Sequence, residues 1–235
     1  MGSTFHLHSA FRTRHSALSW LPCPLAQEVL DPSHHTPRIP PLAVLAREHP
    51  LRGRTVVLDP GHPPLGARGP TGLWEPVATL AVAFKAKTLL ERAGAIVFLT
   101  RTDSTAIELY PRTQFAELRD ADVLVSIHAN ALPDGVNPFI NSGTSVYYFQ
   151  PRSIRLAREL DRALVTEFRV RDLGIGRGDC ALVRPTWMPA ALTEGLFIML
   201  PEQEALLASE DGQWRYARAV VRGIENFLRE RAREP

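Results

Sequence analysis

Beyond residue 50 the chain keeps only two histidines, His62 and His128, and each follows closely on a short apolar run, RTVVLDPGH and DVLVSIH. Imidazole titrates near neutral pH and is the commonest metal ligand. One such ring at a strand end is ordinarily a hydrogen-bonded structural residue; two in matching places point toward a site. A carboxylate stands within reach of the first. Glu75 follows the loop PPLGARGPTGLW (Pro63–Trp74), short enough to return it beside His62. A glutamate opening a helix also complements the helix dipole, so on this ground alone its role stays open. Together, His62, Glu75 and His128 offer two imidazoles and a carboxylate and leave a fourth position for water. That is the composition of a catalytic zinc site, and no cysteine is placed to close it.

Metal-assisted hydrolysis also needs a group that moves protons. Glu194 ends the apolar run AALTEG and is costly to bury without a partner, so it is either that group or a rim residue bonded to an arginine. Asp59, inside the first strand end, either braces a ligand from behind or caps the turn. Arg184, closing CALVR, is a candidate for holding an oxyanion or a peptide carboxylate, with a surface ion pair as the alternative. Arg101 and Arg112 are expected to form structural salt bridges.

Strands and helices must carry these residues to one place. TVVLD (Thr55–Asp59), AIVFLT (Ala95–Thr100), DVLVSIH (Asp122–His128) and GTSVYYFQ (Gly143–Gln150) have the apolar, β-branched composition of buried strands. CALVR (Cys180–Arg184) and AALTEG (Ala190–Gly195) are shorter strand candidates. Helical spacing runs through Glu75–Gly94, on Leu80, Phe84, Leu89 and Leu90, with Gly94 as its stop. Further helices are expected over Arg112–Arg119, Arg152–Phe168 and Asp211–Ala232, the last with Trp214, Ala217, Val221, Ile224 and Leu228 as its apolar stripe. Alternating elements imply an α/β three-layer sandwich, a mixed and mostly parallel sheet with helices on both faces. Ligands then collect beyond the carboxyl ends of the strands, where both histidines fall.

The chain has 235 residues, 45% hydrophobic and 22% charged, with a formal net charge of +2. That suits one domain with an appendage and implies no field for nucleic acid or a membrane surface. No apolar run is long enough to span a bilayer, and the start of the chain makes a poor signal peptide, broken by Pro22 and Pro24. Residues 1–50 form a proline- and histidine-rich arm or linker with six of the eight histidines. Residues 51–235 are the domain. Cys23 and Cys180 make no disulfide framework.

VVLDPGH, Glu75, VLVSIHAN, GTSVYY and MPAALTEGLF, in this order from about Arg54 to Leu228, resemble the zinc-dependent N-acetylmuramoyl-L-alanine amidases, the amidase_3 family of peptidoglycan hydrolases. The resemblance implies a sheet of about six strands flanked by helices, and zinc held by His62, Glu75 and His128. It implies Glu194 as the catalytic glutamate, peptidoglycan or muropeptides as substrate, and a periplasmic or secreted location in the cell envelope. LTRTDS (Leu99–Ser104) and Arg112 follow the family pattern. Pro63 and Pro64 replace the two glycines usual after the first histidine, and EGLFIML (Glu194–Leu200) lacks the family's asparagine. These departures bear on groove shape and substrate preference. The segment Ala129–Ser142 is too short for the inhibitory helix that plugs the zinc site in some cell-division relatives. Other readings use the same residues: a zinc peptidase acting on stem peptides, a silent wall-binding module, or a structural α/β domain with incidental histidines.

Overall fold

A computed structural model describes residues 48–233. Most of the arm, with Cys23 and five of its histidines, lies outside them. Apolar runs rich in valine, isoleucine and leucine form β1 (Thr55–Pro60), β2 (Ile96–Leu99) and β3 (Val123–Asn130). Helices α1 (Glu75–Arg92) and α2 (Leu109–Glu117) connect them, and a four-residue turn of helix, α3 (Pro138–Asn141), leads into β4 (Thr144–Tyr148). The rest of the chain adds α4 (Ile154–Phe168), β5 (Asp172–Arg177), β6 (Ala190–Phe197), α5 (Pro201–Ala208) and α6 (Glu210–Arg231). The strands make one six-stranded sheet in the order β2-β1-β3-β6-β4-β5. β2, β1, β3 and β6 run parallel, and β4 pairs antiparallel with β6 while lying parallel to β5.

The two faces are covered unequally. Val56, Leu58, Val125 and Ile127 point into the larger core, closed by α1, α4 and α6. Val57, Leu124 and Ala190 point the other way, into a small core with Ala116 of α2 and Leu182 of a 3-10 turn. The three layers expected from the alternating pattern are present, the second helical layer being thin.

Three local expectations need correction. CALVR is no strand: Ala181–Val183 is a 3-10 turn, and Arg184 follows it. The missing strand is β5, whose sequence DLGIGR is half exposed and interrupted by glycines, so no apolar run announces it. Helix α1 presents Ala78, Val82, Ala83, Ala86 and Leu90 to the sheet, while Phe84 is 42% exposed. Small side chains let the helix sit close to the strands, so the bulkiest residues did not mark its buried face. On α6 the expected Ala217, Ile224 and Leu228 are buried, joined by Tyr216, Val220 and Phe227, whereas Trp214 and Val221 stand at the margin. Gly94 does end α1, at φ 90°.

Asp161 of α4 is buried with Oδ1 unbonded, facing Asp172 at the start of β5. Burial, then the charge of Asp172 and a hydrogen bond to it, push its carboxyl up to about 7. A carboxyl raised in the fold contributes stability in full below its unfolded value of about 3.9, and loses it as pH rises through the folded one. Asp161→Asn should remove that slope and be more stable than wild type at pH 8 by about 1–3 kcal/mol. Denaturant unfolding at pH 4 and pH 8 tests this, and parallel wild-type and variant values would contradict it.

Candidate metal centre

The site grows out of sheet register on the thinly covered face. Val57, Leu124 and Ala190 form an apolar row across β1, β3 and β6. Two residues further along each strand, the row is Asp59, Ser126 and Leu192. The next brings His128 opposite Glu194, with Gly61 beyond the end of β1, its amide bonded to Ile127 O. Side chains alternate along a strand, so one face passes from apolar to polar to potentially catalytic as the strands reach their carboxyl ends.

Gly61 has to be glycine because the His128 ring lies against it. A Cβ there would stand 2.5 Å from His128 Cε1. Gly61→Ala should displace the imidazole and weaken any metal binding about 10–100-fold, the range seen when ligand-orienting groups are lost. Competition against a chelator of known affinity measures this; an unchanged dissociation constant would show that the ring tolerates the methyl.

After Gly61 the chain reverses, with His62 at φ 59°. This left-handed conformation is uncommon outside glycine and asparagine. Two buried arginines hold the turned carbonyls. Arg101 donates to Pro60 O, Gly61 O and Pro76 O. Arg112 donates to Pro60 O, His62 O and Pro63 O and pairs with Asp59 Oδ1 at 3.0 Å. The salt bridge expected of Arg112 is therefore present, whereas Arg101 hydrogen-bonds mainly to backbone carbonyls. Asp59 braces both the turn and, through Ser126, the second histidine.

Glu75 opens α1 and is 3% exposed. Its Oε2 accepts from Ala67 N and its Oε1 from Ala129 N, each at 3.0 Å, which fixes the carboxylate plane. Oε2 lies 3.3 Å from His62 Nε2 and Oε1 lies 3.2 Å from His128 Nδ1. One ligand atom from each of the three residues lies within 4.8 Å of the others. The far nitrogens are engaged: His62 Nδ1 donates to Pro64 O at 3.2 Å, and His128 Nε2 meets Ser126 Oγ at 3.1 Å. The neutral rings thus turn lone pairs toward a carboxylate. With the rings in that form acceptors face acceptors, an arrangement that a metal cation bound between them would satisfy, and the donor set fits one.

Without a metal, a proton shared with His128 takes the cation's place beside Glu75. Burial would raise the Glu75 carboxyl, but hydrogen bonds to His128 and His62 and their charges hold it well below the usual range. Burial disfavours protonation of His128; the hydrogen bond to Glu75 and the charges of Glu194, Glu75 and Asp59 outweigh it and raise its pKa. Glu194 is pushed up to about 7, by burial first and by Glu75, against the opposing pull of His128 and His62. Its Oε2 is buried and accepts no hydrogen bond from the described residues.

Four of the residues singled out in the sequence, His62, Glu75, His128 and Glu194, therefore meet at one edge. Arg184 does not join the cluster: its guanidinium, 57% exposed, pairs with Asp179. Three supporting residues escaped sequence reasoning. Ser126 was legible in principle, two residues before His128 on the same strand face. Tyr216 of α6 donates its hydroxyl to His128 O at 2.8 Å and accepts from Gly195 N, where the β3–β6 register slips. Buried Glu204 of α5 accepts from Thr71 N, Thr71 Oγ1 and Leu73 N, anchoring the loop that delivers Glu75. Nothing local announced either of these two.

An α/β sheet with two imidazoles and a carboxylate converging at its carboxyl edge, and an ionisable glutamate across the strand, defines a domain equipped for metal-assisted hydrolysis. Residues 56–226 match the Amidase_3 model, N-acetylmuramoyl-L-alanine amidase, and the chain belongs to that family. It is 34% identical to the catalytic domain of CwlV, an N-acetylmuramoyl-L-alanine amidase from Bacillus (Paenibacillus) polymyxa var. colistinus, covering 74% of this chain and 98% of that one with a TM-score of 0.68. An N-acetylmuramoyl-L-alanine amidase from Clostridium difficile 630 is 33% identical, with 75% and 97% covered and a TM-score of 0.70. N-acetylmuramoyl-L-alanine amidase LytC of Bacillus subtilis is 30% identical over 201 residues, 83% of this chain but 40% of LytC. The chain thus spans well under half of that relative while matching nearly the whole of the solved catalytic domain. The mixed six-stranded α/β fold expected from the sequence is the fold of these amidases.

Proposed function

We propose that this chain hydrolyses the amide bond between N-acetylmuramic acid and the L-alanine of the peptidoglycan stem peptide, with zinc held by His62 Nε2, Glu75 and His128 Nδ1. Zinc bound there supplies a Lewis acid that makes water acidic and polarises an amide carbonyl. Glu194 takes the proton of the attacking water and returns it to the departing amine of L-alanine. The observation that carries this reading is the position of Glu194, directly across the strand from His128, with a buried oxygen that no protein donor occupies. A carboxyl near neutrality serves both as base and as acid. Arg184, exposed and paired with Asp179, takes the surface ion pair that was its alternative and carries no step here.

No described helix is long and apolar enough to cross a membrane. The substrate places the activity in the cell envelope, as with the probable cell wall amidase LytH of Staphylococcus aureus, 32% identical over 187 residues. The segment between β3 and β4 carries only the short helix α3, with Phe139 and Ile140 more than two-thirds exposed.

Mass spectrometry of the soluble products from purified peptidoglycan tests the proposal. Free stem peptides with a new L-alanine amino terminus, lost with chelator and restored by zinc, are expected. Shortened stems still attached to sugar would assign a peptidase instead. Zinc binding without any release would leave a wall-binding module.

A further inference from the structure

We infer that Ser126 is a positioning residue, its hydroxyl held by the buried Asp59–Arg112 pair so that His128 carries its proton on Nε2 and turns Nδ1 toward the metal position. The inference rests on the reading of His128 as a metal ligand. Ser126 Oγ lies 2.6 Å from Asp59 Oδ2 and 3.1 Å from His128 Nε2. A carboxylate only accepts, and a hydroxyl has a single proton. That proton goes to Asp59, so Ser126 has only lone pairs to offer the ring and favours the Nε2–H form, against the pull of Glu75 Oε1, 3.2 Å from Nδ1. Asp59 thereby biases the tautomer of His128 from two hydrogen bonds away.

Asp59 is well suited to this. It is 1% exposed and is the register partner of Ser126, so the two side chains rise from neighbouring strands on the same face. Its other oxygen, Oδ1, accepts from Thr100 Oγ1 and Arg112 Nη1. An ion pair buried in this way holds its geometry because each remaining polar atom is bonded. Arg112 also reaches His62 O through NH2. One buried pair therefore sets the backbone of one histidine and the ring of the other, without touching substrate.

The test uses the full chain. In metal-free wild-type protein at a pH where the rings are neutral, long-range proton–nitrogen correlation spectra should show His128 as the Nε2–H form. Ser126→Ala, which leaves Glu75 as the ring's charged acceptor, should shift His128 toward the Nδ1–H form and raise the zinc dissociation constant about 10–100-fold in chelator competition. A wild-type spectrum showing the Nδ1–H form overturns the relay whether or not the variant folds. So does a folded Ser126→Ala protein with wild-type tautomer and zinc affinity. Wild-type protein that shows the Nε2–H form but takes up no zinc supports the relay and instead defeats the metal reading it rests on.

Discussion

Glu194→Gln is expected, like wild type, to bind one zinc per chain, and to cleave peptidoglycan about 10²–10⁴-fold more slowly than wild type, the range ascribed to a positioned acid–base group. The substitution keeps volume and removes the negative charge together with the ability to carry a proton. Its site makes this a clean comparison, because Glu194 Oε2 has no hydrogen-bond partner to lose among the described residues. A buried carboxylate that no donor satisfies is costly, so the neutral amide should also fold at least as stably as wild type above neutral pH. The sign follows from a carboxyl pushed up to about 7, whose stabilising contribution disappears as pH rises through that value. In the zinc-loaded protein the nearby cation pulls the carboxyl down again. The wild-type rate should therefore fall on the acid side along a limb lying below pH 7, and the residual rate of Glu194→Gln should lack that limb. Zinc content, kcat and the pH dependence of kcat/KM together decide the matter. A variant turning over at the wild-type rate would remove Glu194 from the mechanism.

His62→Ala should fail differently, losing metal and turnover together. Catalytic zinc sites ordinarily use three protein ligands, and among the described residues Glu75 would keep, of its two histidine contacts, only that to His128 in a place 3% exposed to solvent. The zinc dissociation constant should rise by more than the roughly 10–100-fold attributed to groups that merely orient ligands. After dialysis the variant should hold almost no zinc, and its activity should not exceed that of chelator-treated wild type. Elemental analysis beside the product assay reads both. A variant retaining one zinc per chain and releasing stem peptides normally would mean that His62 is no ligand. Comparing the two variants separates the metal from the proton carrier, which neither does alone.

Much of this site was legible because strand chemistry is local. A β-branched run closed by Asp-Pro-Gly announces both a buried strand and its end, so His62 could be placed at a sheet edge from nine residues. His128 followed by the same logic, and Glu75 from the shortness of one loop. Helix faces were read less well. On α1 the large residues Leu80 and Phe84 drew attention, yet alanines and Val82 meet the sheet, because close packing against strands selects small side chains. β5 was missed because an edge strand needs no continuous apolar run. Arg184 was placed at the end of a strand that is a 3-10 turn, and its ion pair with Asp179 followed from that turn.

The sequence by itself determined the alternation of strands and helices, the residue types that could hold a metal, and the strand ends where they would gather. Spacing within about ten residues is enough for such inferences, since side-chain alternation and turn chemistry are properties of neighbouring residues. Only the tertiary structure decided which nitrogen of each imidazole is free and that Glu194 stands opposite His128. It also decided that Asp59 governs a histidine through a serine 67 residues away along the chain. Those relations depend on sheet register, and register is chosen by burying one whole face of every strand at once. A slip of a single residue would send Asp59, Ser126, His128 and Glu194 to the opposite face, beneath α1, α4 and α6, where neither water nor a polymer substrate has room.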